Sequence, residues 1–130
     1  MEFTIDEWIE KIVLKNIKTS SVAKSYIYSL FKNMINVKND ISDQSLVLLY
    51  NTASIKNNFE DYQTIGDFVL WSASYCPESI VEYELSLDIG KLCYYSCYNI
   101  LKRKWGLYNE IADNMEEITK TINSNIKKNQ

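Results

Sequence analysis

The chain has 130 residues, 14 basic and 17 acidic side chains, a formal charge of −3, three glycines, one proline and no histidine. Strand-and-turn folds spend glycine and proline at their turns, so this scarcity argues against a sandwich, a barrel or a glycine-rich nucleotide fold. The missing histidine removes Ser-His-Asp and Cys-His nucleophile activation, histidine-ligated metals and imidazole pH switches, and the acidic balance gives no basic footprint for nucleic acid.

An all-α domain of five to six helices is therefore expected over residues 1–130. The first helix carries Ile5, Trp8, Ile9, Ile12 and Val13 at helical spacing, and Thr4 with Glu7 reads as a capping box at its start. A second helix is expected from about Ser21 to Val37, capped by Ser20 or Ser21, with Val22, Tyr26, Ile27, Leu30, Phe31 and Met34 on one side. Ser42 or Asp43 opens the third, whose inner face is Leu46, Leu49, Tyr50 and Ala53.

Lys56-Asn57-Asn58 breaks the chain, and Asn58 caps a fourth helix reaching about Tyr75. Phe59, Tyr62, Ile65, Val69 and Ala73 form its core stripe, widened by Phe68, Leu70 and Trp71. So wide an apolar arc makes residues 59–75 the central helix, touching neighbours on several sides. Gly66 inside it predicts a close helix crossing in preference to a bend. Cys76-Pro77 ends it, since proline lacks an N–H and disfavours helix before itself.

The fifth helix is expected over about Leu87–Lys102, with Ile89, Leu92, Cys93, Ser96 and Ile100 inward; Gly90 there has no turn to explain it. After Trp105-Gly106 a sixth helix carries Leu107, Ile111, Met115, Ile118, Ile122 and Ile126, and the polar tail 123–130 is expected to fray. The longest clear apolar runs, Leu46–Tyr50 and Phe68–Trp71, fall short of the roughly 20 residues of a membrane span. The acidic start lacks the features of a secretory signal, and three cysteines, an odd number, argue against a disulfide framework. A cytoplasmic location follows as the expectation.

Few constellations favour chemistry over packing. Cys93 and Cys97 stand one helical turn apart, yet a closed zinc site needs four ligands and the chain offers only Cys76 besides. Cys76 falls at a helix C-terminus, where the dipole disfavours a thiolate. The carboxylates Glu78 and Glu82, Glu84 and Asp88, and Glu110, Asp113 and Glu117 read as solvated helix faces. The dense basic run Lys102-Arg103-Lys104 sits at a helix end, where cations complement the dipole. Neither a metal nor a cofactor is expected.

Asp67 stands apart. It follows Gly66 in the most apolar helix, so it must be paired, hydrogen-bonded or shifted in pKa. A buried polar anchor or a second helix cap is the favoured reading, with lysine, arginine, indole or tyrosine as its partner; a ligand contact is the other. Eight aromatics crowd between Trp71 and Tyr108, and adjacent Tyr94 and Tyr95 cannot both face inward on one helix.

The string Ile65-Gly66-Asp67-Phe68-Val69-Leu70-Trp71, then Pro77-Glu78-Ser79, a tyrosine-rich helix and Leu107-Tyr108-x-x-Ile111-Ala112 resembles an uncharacterised family of small all-helical bacterial proteins. The resemblance covers about half the chain and departs at Tyr75-Cys76, where that family tends to carry an aromatic residue and a glycine. It implies a helical fold and a bacterial origin, and no activity.

The leading expectation is a protein-interaction module without catalytic activity, of which an immunity, inhibitor or regulatory binding protein is one concrete form. Its partner would be another protein, bound through Tyr83, Tyr94, Tyr95, Glu82 and Glu84. The alternative is a small-ligand sensor or enzyme with a pocket between the fourth and fifth helices around Asp67, Trp71 and Tyr98. Self-association into a homo-oligomer is a third reading. Neither nucleic acid nor membrane is expected as a partner.

Overall fold

The computed structural model describes residues 3–35 and 45–129. Local signals build a short first helix. Thr4 Oγ1 accepts from the Glu7 N–H at 3.1 Å and donates to the Glu7 carboxylate at 3.0 Å, closing the N-terminus of α1 (Ile5–Trp8). The chain then widens into a π turn over Ile9–Val13, which buries Ile9, Ile12 and Val13 while Ile5 stays exposed. Helix α2 (Ser21–Ile35) starts on the Ser20 hydroxyl, which accepts from the Ala23 N–H at 3.1 Å. Ala23, Ile27, Leu30 and Phe31 form its buried face; Val22, expected there, is 61% exposed because it sits in the first turn on the far side.

Helix α3 (Leu46–Lys56) is capped by Ser45, whose Oγ accepts from the Leu48 N–H. The expected caps Ser42 and Asp43 lie outside the described residues. Asn57 adopts left-handed geometry with φ of 50°, and Asn58 then caps α4 (Phe59–Tyr75) through its Oδ1. α4 has the expected bounds and buries Tyr62, Ile65, Val69, Leu70 and Ala73. Pro77 ends it and opens a single 3₁₀ turn over Pro77–Ser79.

Helix α5 (Tyr83–Ile100) begins four residues earlier than expected, and α6 (Leu107–Lys128) follows the Leu101–Gly106 loop. The expected frayed tail is helical to Lys128, because Ile122, Asn125 and Ile126 are buried and Asn125 is engaged. Its amide donates to the carbonyls of Val13 and Lys15 at 3.3 and 2.7 Å, satisfying oxygens at the end of the π turn. The described residues thus form one all-α bundle, with α4, α5 and α6 packed mutually around the core and α2 and α3 laid against α4.

Two glycines set how closely α4 and α5 cross. A Cβ on Gly66 of α4 would stand 2.9 Å from the Tyr94 ring of α5, and one on Gly90 of α5 would stand 2.7 Å from Val69 Cγ1 and 2.8 Å from Met115 Cε. The crossing expected at Gly66 is present, α4 is continuous there, and Gly90 acquires its reason. The face of α5 turned inward carries Ile89, Gly90, Cys93, Tyr94 and Cys97, so Leu92, expected inside, is 47% exposed. Gly90→Ala is expected to destabilise the protein by up to about 2 kcal/mol net: overpacking of about 1–3 kcal/mol, less about 1 kcal/mol of helix propensity that alanine gains. Urea unfolding measures this; a raised midpoint would show that Val69 and Met115 yield without cost.

Candidate functional site

Asp67 is held by tyrosines from two other helices. Tyr26 of α2 donates its hydroxyl to Asp67 Oδ1 at 2.5 Å, and Tyr94 of α5 donates to the same oxygen at 2.7 Å. Gln63, one turn earlier on α4, donates its amide to the hydroxyls of Tyr108 on α6 at 2.8 Å and Tyr26 at 3.3 Å. Tyrosine suits this place because its ring packs as a hydrophobe while its tip supplies a donor. The rings of Tyr26, Tyr94 and Tyr108 meet at centroid separations of 5.6–6.3 Å, two of the three pairs edge to face. One polar cluster therefore ties α2, α4, α5 and α6 together.

The electrostatics follow from burial. Desolvation pushes the Asp67 carboxyl up to about 6, against the two tyrosine bonds that favour its ionised form. Burial first, and the Asp67 charge next, raise the Tyr26 and Tyr94 hydroxyls, so both remain donors. Tyr108 is raised by burial as well.

Among the described residues, Asp67, Trp71 and Tyr98 of the alternative set do not line the clefts found. Trp71 lies one turn beyond Asp67 but is committed to other rings: Phe31 at 4.9 Å edge-on and Tyr75 at 4.7 Å stacked. Tyr98 is half-buried one turn after Tyr94 and packs against the core. Clefts of about 420 and 640 Å³ are lined by none of the three. Where a ligand would reach Asp67 Oδ1, two tyrosine hydroxyls already stand. Tyr26, Gln63 and Tyr108 were not among the expected site residues. Gln63 carried the only usable signal, a polar side chain four residues before Asp67 on the same helix face.

The expected surface set divides. Tyr94 is fully buried, a correction forced by its ring filling the space opposite Gly66. Tyr95, diverging from it along the helix, is partly exposed and donates its hydroxyl to Asp113. Tyr83 lines the cleft of about 420 Å³ between the C-terminal half of α6 and the end of α4 with Pro77, together with Lys120, Asn123 and Lys127. Glu84 is exposed. Glu82 lies on a different cleft, a groove of about 640 Å³ formed by the start of α3, one face of α4 and the chain from Ser79 to Ile89. Val47, Phe68, Val81, Leu85 and Ile89 make its walls, and among the described residues lining it Glu82 alone carries a charge. Val81 is 97% exposed, with Leu85 and Val47 above 40%.

Cys93 and Cys97 are buried, and burial pushes both thiols up to about 12, far from a nucleophilic thiolate. Glu110, expected on a solvated face, instead accepts from the Ser20 N–H at 2.8 Å and hydroxyl at 2.5 Å, fastening α6 to the start of α2. Among the described residues no three His, Cys, Asp or Glu side chains gather as a metal set, and no helix is long and apolar enough to cross a membrane.

Fold and site together define an all-α bundle with a tyrosine-bound carboxylate inside and an apolar groove with one acidic residue outside. Comparison with protein-family models, with curated proteins and with solved structures finds no match.

Proposed function

We propose that this protein is an interaction module without catalytic activity, and that the groove between α3 and the Ser79–Ile89 stretch receives a segment of a partner protein. The groove itself carries this reading. Val81, Leu85 and Val47 are held in water beside Phe68 and Ile89, and covering such a surface returns about 25 cal/mol per Å². Glu82 asks for a cation, so the partner segment combines apolar side chains with a lysine or arginine. An inhibitor or immunity protein that occupies a partner's surface is one form of this chemistry. The interior supports the same reading, since two tyrosine hydroxyls already bond Asp67 Oδ1.

The test places a photo-crosslinking amino acid at Leu85 of the full chain in cells. A discrete crosslinked heteromer is expected, and Glu82→Lys or Val81→Asp should remove most of it. Both residues are exposed: Val81→Asp should move stability by no more than about 0.5 kcal/mol, and Glu82→Lys, which places a cation at the N-cap of α5, should cost up to about 2 kcal/mol. Crosslinks only to a second copy of the chain, or none, would overturn the proposal.

A further inference from the structure

The loop after α5 holds backbone strain and exposed binding chemistry in the same five residues. α5 ends in a Schellman arrangement: the Arg103 N–H donates to the Tyr98 carbonyl and the Lys102 N–H to the Asn99 carbonyl, both at 3.0 Å. The left-handed position this closure requires is normally glycine. Here Lys102 occupies it with φ of 57°, and Arg103 follows with φ of 58°. Two consecutive side chains in that region cost stability, and helix closure needs only one. The loop presents Lys102, Arg103 and Lys104 to solvent, followed by Trp105 at 67% exposure and an open Gly106. The ion pairs of the described residues use Lys11, Lys32 and Lys120, not these cations. α6 then begins at Leu107 with Gly106 at its cap, which has no side chain to bond the first N–H groups, so the positive end of a 22-residue helix faces the same place.

We infer that the Leu101–Gly106 loop is a docking point for an acidic segment of a partner protein, with Arg103 and its flanking lysines taking carboxylates and Trp105 covering an apolar side chain beside them. Arginine and tryptophan are the residue types that most often dominate binding energy at protein interfaces. Local charge favours a discrete acidic segment over an extended polyanion. Phe59 packs on Tyr108 at 5.6 Å, which brings the first turn of α4, with Glu60 and Asp61, to the same end of the bundle as Glu110 and Asp113 of α6. A nucleic-acid backbone or an anionic bilayer lying across this end would meet those carboxylates. This inference goes beyond the groove and does not rest on it, because the loop lies at the opposite end of α5 from Glu82.

The experiment uses the full chain and three probes: a fluorescent peptide of alternating glutamate and leucine, vesicles of phosphatidylcholine with phosphatidylglycerol, and single-stranded oligothymidylate. The peptide is expected to bind, and Trp105→Ala and Arg103→Ala should each weaken it about tenfold or more, as truncation of an interface anchor does. Lys102→Gly should raise the thermal midpoint while weakening the peptide, the trade expected of strain kept for binding. A stability gain with peptide affinity unchanged would reduce the loop to a helix terminus and overturn the inference. Failure of the peptide to bind, or tighter binding of vesicles or oligothymidylate than of the peptide, would overturn it as well. Crosslinking at Leu85 reports on the groove independently of each of these results.

Discussion

Replacing Tyr94 with alanine is expected to destabilise the protein by about 3–5 kcal/mol, the usual cost of deleting a fully buried aromatic ring. The ring has no exposed surface, fills the space against Gly66 and meets both Tyr26 and Tyr108. Tyr94→Phe separates the ring from its hydroxyl. It keeps the packing and removes one of the two bonds to Asp67 Oδ1, and should cost about 1–3 kcal/mol, as for a lost bond to a charged group. It should also raise the Asp67 pKa further above about 6, because one of the two donors that favour the carboxylate is gone. Urea unfolding at neutral pH measures the first effect and carboxyl carbon NMR the second. A phenylalanine variant as stable as the parent, with Asp67 titrating unchanged, would remove the hydroxyl from the account.

The second large effect is a dependence of stability on pH centred on Asp67. Its carboxyl is raised from an ordinary 3.8 to about 6 in the folded chain, so the fold binds the proton more tightly than the unfolded chain does. The stabilisation linked to that proton is complete below about 4 and is lost as pH rises through about 6. A shift of this size corresponds to about 3 kcal/mol between the two limits. Asp67→Asn keeps an acceptor for Tyr26 and Tyr94 and cannot ionise. It is expected to be more stable than the parent at pH 7.5, by up to about 3 kcal/mol, and to lose the slope between pH 4 and 7. A variant less stable than the parent at pH 7.5 would mean that the charged bonds from the two tyrosines outweigh desolvation.

How far the sequence foretold this molecule depends on which residues carried the signal. α4 was legible to its last residue because Asn58, a broad apolar arc and Pro77 mark its cap, body and end in side-chain chemistry. The start of α5 was not, because Glu82 at its cap makes no side-chain bond and so leaves no capping signature. The inner face of α5 was misplaced toward Leu92 because Gly90, its closest contact, contributes no hydrophobicity to a periodic pattern. The end of α6 looked like a fraying tail for a related reason. Asn125 is polar and reads as exposed, yet it is buried to serve carbonyls more than a hundred residues away. Asp67 was recognisable as a problem within its own helix. Its solution lay on two other helices, and no local pattern names a long-range donor. The groove was out of reach altogether, since it forms only when α3 and the chain beyond Pro77 lie beside Phe68.

In the proposed reading the interior of the bundle holds the fold together and its exterior groove binds. The most direct measurement of that division is the yield of the Leu85 photo-crosslink in two backgrounds, Asp67→Asn and Glu82→Lys. Asp67→Asn is expected to change stability and leave the heteromeric crosslink at its parental yield. Glu82→Lys is expected to leave the chain folded, at a cost of up to about 2 kcal/mol for the cation at the α5 N-cap, and to remove most of the crosslink. Loss of the crosslink in Asp67→Asn together with its survival in Glu82→Lys would contradict the account and make the tyrosine-bound carboxylate the working site.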